Sequence, residues 1–143
     1  MHLPVFDGLD NFFEKKKALL SELSKNKVEK GIVIADSVEK STIGNTDQCL
    51  SLFEDCDNIF VVAGLSPKEN FKAQTEKVKK YFLEEKIVGV KLFPDHENFR
   101  INDKSLFPFF GWAEEHKCPV LFHSEGNKSL YSKAHMVTEV LEN

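Results

Sequence analysis

Four short runs of apolar, largely β-branched residues limit what this chain can fold into. They are Gly31-Ile32-Val33-Ile34-Ala35, Ile59-Phe60-Val61-Val62-Ala63, Ile87-Val88-Gly89-Val90-Lys91-Leu92 and Pro119-Val120-Leu121-Phe122-His123. Each is nearly continuous rather than alternating, as expected of strands covered on both faces in a parallel sheet. The runs begin near residues 31, 59, 87 and 119, so they are 28, 28 and 32 residues apart. That interval holds one helix and its two loops. Strands alternating with helices at this period point to a parallel sheet with helices packed outside it.

The intervening segments carry helical spacing. Phe12, Leu19 and Leu23, with Phe13 and Leu20, define one face of a first helix that starts near Asn11, with Glu14 three residues on. A shorter helix is expected from Gln48 to Cys56. Ser66-Pro67-Lys68-Glu69 reads as a helix start, with Ser66 as cap, Pro67 in the first turn and Glu69 closing a capping box. That helix runs towards Glu85 through Phe71, Val78 and Phe82. Leu106, Phe109, Phe110 and Ala113 mark a fourth helix, with Pro108 tolerated only near its first turn. Tyr131, Ala134, Val137 and Leu141 mark a fifth.

One further period would place another strand at about residues 147 to 151, beyond Asn143. A strand preceding the first helix would lie at or before Met1. A whole (β/α)8 barrel takes about 250 residues, and this chain has 143. The expected fold is therefore α/β: a partial (β/α)8 TIM barrel of about four parallel strands with outer helices. It forms a single incomplete domain over residues 1–143, cut at both ends.

Composition excludes several functional classes. Net charge is −4, so no basic field exists to hold a nucleic-acid backbone. The lysines at 15–17 and at 79 and 80 lie in helical patterns beside Glu14, Glu76, Glu84 and Glu85, which makes them solvated helix faces. No transmembrane run occurs, and Met1-His2-Leu3-Pro4 lacks the charged and apolar regions of a signal peptide. Three cysteines, an odd number, without an export signal point to a reducing, cytoplasmic setting. Cys49 and Cys56, seven apart, are expected on one helix face as small apolar residues rather than metal ligands.

Ligands of parallel α/β folds bind at the carboxyl ends of the strands, which here carry Asp36, Ser37, Gly64, Ser66, Lys91 to His96, and His123 to Gly126. His123 closes an apolar strand and is followed by polar residues. An imidazole so placed serves as metal ligand or acid–base, or only bonds the next loop. Lys91 ends a strand: it contacts an anionic substrate, is modified to bind metal, or reaches solvent or pairs with Asp36 or Asp95. His96 lies in a loop that could reach the site, but it, His116 and His135 read first as structural or solvated. Glu125 accepts from a metal-bound water or is solvated. No glycine-rich phosphate loop and no nucleophile elbow is present.

Val88-Gly89-Val90-Lys91-Leu92-Phe93-Pro94, followed after a helix by Cys118-Pro119-Val120-Leu121-Phe122-His123-Ser124-Glu125-Gly126, resembles the amidohydrolase-related branch of the amidohydrolase superfamily, metal-dependent TIM-barrel enzymes. His2-Leu3-Pro4 is similar to the tail of that family's first-strand D-x-H-x-H motif, with only its second histidine retained. The resemblance spans essentially the whole chain. It implies His123 as the fifth-strand metal ligand and His2 as a first-strand ligand to a divalent metal, Zn²⁺ first among them. It also implies Lys91, Phe93 and Glu125 as residues facing a small-molecule substrate. Phe93 stands where many relatives have histidine. The family's sixth-strand histidine and its eighth-strand aspartate, the usual general base, would fall beyond Asn143. The implied function is the N-terminal half of a metal-dependent hydrolase, or of a related decarboxylase or hydratase, inactive alone.

Two other readings stand beside it. A half barrel with open edges pairs with another copy of itself and has no catalytic role. A doubly wound small-ligand domain fits the length, but a receiver needs an acid ending its central strand, where this chain has Ala63-Gly64.

Overall fold

A computed structural model describes residues 1–4, 11–68, 70–124 and 130–142. Among them, four parallel strands form one sheet in the order β1 (Gly31–Ile34), β2 (Ile59–Gly64), β3 (Gly89–Leu92) and β4 (Val120–Phe122). Strand order equals chain order, so each connection moves one place in the same direction and the sheet curls as part of a barrel wall. The helices are α1 (Phe12–Lys25), α2 (Thr46–Leu52), α3 (Phe71–Leu83), α4 (Pro94–Glu97), α5 (Phe107–Glu115) and α6 (Ala134–Leu141), with a 3₁₀ turn at Lys104–Leu106. The α/β partial barrel expected from the strand period is the fold observed.

Residue alternation assigns the two faces of the sheet. Val33, Ala35, Val61, Ala63, Val90 and Leu92 point outward into the core, packed with Leu19 and Leu23 of α1, Cys49 of α2, Val78 of α3, Phe109 and Ala113 of α5 and Met136 of α6. The concave face carries the alternate set: Ile32, Ile34, Phe60, Val62, Gly89, Lys91 and Leu121. On that face Val62 and Lys91 are buried, whereas Ile32 and Leu121 remain 48% and 38% exposed although they sit within strands.

Met1 extends the sheet at its β1 edge. Its amino group donates to the Ile32 carbonyl (2.8 Å), and its own carbonyl accepts from Ile34 N–H (2.7 Å), the alternation of a parallel pair. Leu3, two residues on, is buried in the core.

Local chemistry sets most helix starts. The Asn11 side chain accepts from Glu14 N–H (2.9 Å), capping α1 as its sequence suggests. The second helix starts earlier than expected: Asn45 and Gln48 form a reciprocal capping box, and α2 ends at Leu52. Cys56 therefore lies beyond the helix, half-buried, while Cys49 is fully buried within it. The third helix starts later than expected. It begins at Phe71 after Asn70, whose φ of 48° lies in the left-handed region. Ser66 does not cap it, and Glu69 lies outside the described residues. Pro108 occupies the first turn of α5, where a missing N–H costs nothing.

Candidate functional site

The carboxyl ends of the strands meet at one rim of the curled sheet, and two groupings of side chains form there. The first is aromatic and basic. Phe93, one residue past β3, has its ring centroid 6.1 Å from His2 and 6.2 Å from His96. His96, on the single turn of α4, meets the His123 ring edge-on at 4.7 Å and 66°. His123 is fixed by its backbone N–H, which donates to the Leu92 carbonyl (3.0 Å) and continues the β3–β4 ladder past the strand end. Lys91 extends from β3 beneath this group, its Nζ 5.3 Å from the Phe93 ring centroid. Four of the residues singled out in the sequence, His2, Lys91, Phe93 and His123, thus share one mouth. Glu125 lies outside the described residues.

From the sequence His96 lies in a loop that could reach the site, with a structural or solvated role favoured; in the structure it packs directly on His123. Its signal was Pro94, which opens a helical turn immediately after β3 and so folds His96 back over the strand end. His116 does lie at a helix end as expected, stacked on Trp112 (4.7 Å, 21°) with Nδ1 2.9 Å from the Trp112 carbonyl.

The described donors fall short of a complete metal site. His2 Nδ1 lies 2.8 Å from the Ile34 carbonyl. A carbonyl only accepts, so Nδ1 carries a proton and Nε2 is the nitrogen left to a metal. The Asp95 carboxylate accepts from Ser132 Oγ (2.7 Å) and Leu130 N–H (3.1 Å), tying the segment before α6 to α4. Among the described residues no group of three or more His, Cys, Asp or Glu side chains is close enough to hold a metal ion. The His96–His123 pair is a fragment of a donor set, short of the three protein ligands of a catalytic zinc site.

Lys91 is 9% exposed and pairs with neither Asp36 nor Asp95. Asp36 accepts instead from Ser37 N–H (2.7 Å) and Ser41 Oγ (2.6 Å). Burial pushes the Lys91 ammonium below the usual lysine range.

The second grouping is polar and lies towards β1 and β2. The Glu97 carboxylate accepts hydrogen bonds from both Ser37 Oγ and Ser66 Oγ, joining the loops after β1, β2 and β3. This explains the fate of Ser66: its hydroxyl is committed to Glu97, and α3 starts elsewhere. Beside this junction a cleft of ≈ 540 Å³ opens, lined by Asp36, Thr46, Ser66, Gln74, Tyr81 and Glu97 among others. Gly64 makes the junction possible. A Cβ there would lie 2.3 Å from the Asp36 carbonyl carbon and 2.4 Å from Ser37 N, so only glycine admits this approach.

Neither a protein-family model nor a curated protein matches this chain. Among solved structures it is similar in fold to the 4-oxalomesaconate hydratase LigJ from Rhodopseudomonas palustris, with a TM-score of 0.58 and 18% sequence identity over 84% of this chain. The match covers 42% of that protein, so this chain spans less than half of its length. Among the described residues no helix is long and apolar enough to cross a membrane. At this identity the likeness establishes the fold alone, a parallel α/β half barrel.

Proposed function

We propose that the chain forms the N-terminal half of a metal-dependent enzyme of the amidohydrolase-like superfamily, a hydrolase or a related hydratase or decarboxylase acting on a small molecule. The observation that carries this reading is the edge-on pairing of His96 with His123 at the ends of β3 and β4. Imidazoles so juxtaposed at a barrel mouth suit a divalent metal such as Zn²⁺, which needs about three protein donors. The likeness of this half barrel to part of a hydratase supports the same reading. On this reading the remaining donors come from outside the described residues, and the chain is inactive alone. His2, through Nε2, is the first-strand donor, and Lys91 and Phe93 face the substrate. The free thiols of Cys49, Cys56 and Cys118 suit a reducing cytoplasm.

The test is equilibrium dialysis of the chelator-treated chain against Zn²⁺, beside His123→Ala. The reading expects weak stoichiometric binding that the substitution abolishes. Equal binding by both proteins, or by neither, overturns it for this chain.

A second reading, self-association, draws on the exposure of Ile32 and Leu121 on the concave face. Sedimentation of the wild type and of Leu121→Lys distinguishes it: a dimer that the substitution dissociates supports it, and a wild-type monomer at high concentration rejects it.

A further inference from the structure

We propose that Lys91 captures carbonyl compounds as an imine, a covalent activity independent of any metal at the same mouth. Its position is what singles it out among the lysines. Lys91 belongs to a strand paired on both sides, with Gly64 opposite it on β2 and Leu121 opposite it on β4. Along its own strand the same-face neighbours are Gly89 and Phe93. None of these four surrounding positions offers a carboxylate or any other side-chain acceptor.

Among the described residues the ion pairs all involve other lysines. The residue is nine-tenths buried, and the Phe93 ring covers one side of its nitrogen. A cation held without a counter-charge and largely out of water loses its advantage over the neutral amine, and the free amine is the nucleophile. The downward direction of its pKa agrees with this geometry.

The chemistry balances without an oxidant or a metal. The amine nitrogen adds to the carbonyl carbon to give a carbinolamine. The carbonyl oxygen then leaves as water with both amine protons, and a C=N bond remains.

The probe is glyoxylate with sodium cyanoborohydride, applied to the chelator-treated full chain and followed by peptide mapping. Hydride adds to the imine carbon and leaves a carboxymethyl group on the trapped lysine. Lys91 is expected to be labelled first, in a phase faster than the surface lysines, and Lys91→Arg to lose that fast phase while its slow surface labelling persists. Labelling spread over surface lysines with Lys91 unmodified overturns the proposal, as does a fast phase retained in Lys91→Arg. Because metal is removed beforehand, failure of the zinc experiment leaves this result unaffected.

Discussion

Substituting Gly64 by alanine tests the junction on which the site rests, and the sign of its effect is diagnostic. Where the backbone tolerates it, a glycine-to-alanine change stabilises a protein by roughly 0.4–1 kcal/mol through the unfolded chain. Gly64 has an ordinary negative-φ strand conformation, so conformation alone would favour that gain. Packing opposes it. The new methyl carbon would sit 2.3 Å from the Asp36 carbonyl carbon, 2.4 Å from its oxygen and 2.4 Å from Ser37 N. All three are backbone atoms, and no rotamer change relieves them.

Reaching a normal carbon contact requires a separation of about 1 Å between the β2 end and the loop after β1. That movement loosens the bond from Gly64 N–H to Thr46 Oγ1 (3.2 Å) and pulls Ser37 from Glu97. Overpacking of this kind costs roughly 1–3 kcal/mol, and each lost hydrogen bond about 1 kcal/mol. The expected net effect is a loss of about 3 kcal/mol, read as a urea midpoint lowered by about 1–2 M. An unchanged or raised midpoint would refute the claimed close approach.

Three further outcomes follow from named contacts. Glu97→Ala strands the hydroxyls of Ser37 and Ser66 and is expected to cost roughly 2–3 kcal/mol in urea unfolding; a change within about 0.5 kcal/mol would make the bridge incidental. Lys91→Met removes a buried, uncompensated cation and is expected to raise the urea midpoint at neutral pH. The folded pKa lies below the unfolded value of 10.5, so the cost is present at lower pH and fades as pH rises to 10.5. The advantage of Lys91→Met should shrink over that window, and an advantage independent of pH would contradict the cause. Burial pushes Cys49 up to about 12 and Cys118 up to about 11, so below the unfolded value of 9.0 their contribution is constant and above it stability falls as pH rises. A disulfide reagent should modify Cys56 in the native chain and the other two only on unfolding; early modification of Cys49 would contradict its burial.

The strands were legible because each is a continuous apolar run of the length and spacing a parallel sheet demands, and the outer helices followed from their periodicity. What escaped the sequence were contacts between loops far apart in the chain. Ser66 has the local chemistry of a helix cap, but its hydroxyl is claimed by Glu97, 31 residues away, so α3 begins only after Asn70. Cys56 has helical spacing from Cys49, yet α2 stops at Leu52. The four-residue α4 is too short for a periodic signal, and with it the placement of His96 and Glu97 was hidden. His123 and Lys91, by contrast, were singled out by a rule that needs only strand ends: polar residues there are placed at the mouth.

The central claim is that the ends of β3 and β4 bring His96 and His123 together as part of a metal site. It is tested most directly by nitrogen-15 spectra of the five histidine rings during zinc addition to the labelled chain. The account predicts that the His96 and His123 imidazole nitrogens shift together, while His116, held against Trp112, and His135 do not move. Shifts confined to His116 or His135, or no shift at any ring with zinc in excess, would contradict it.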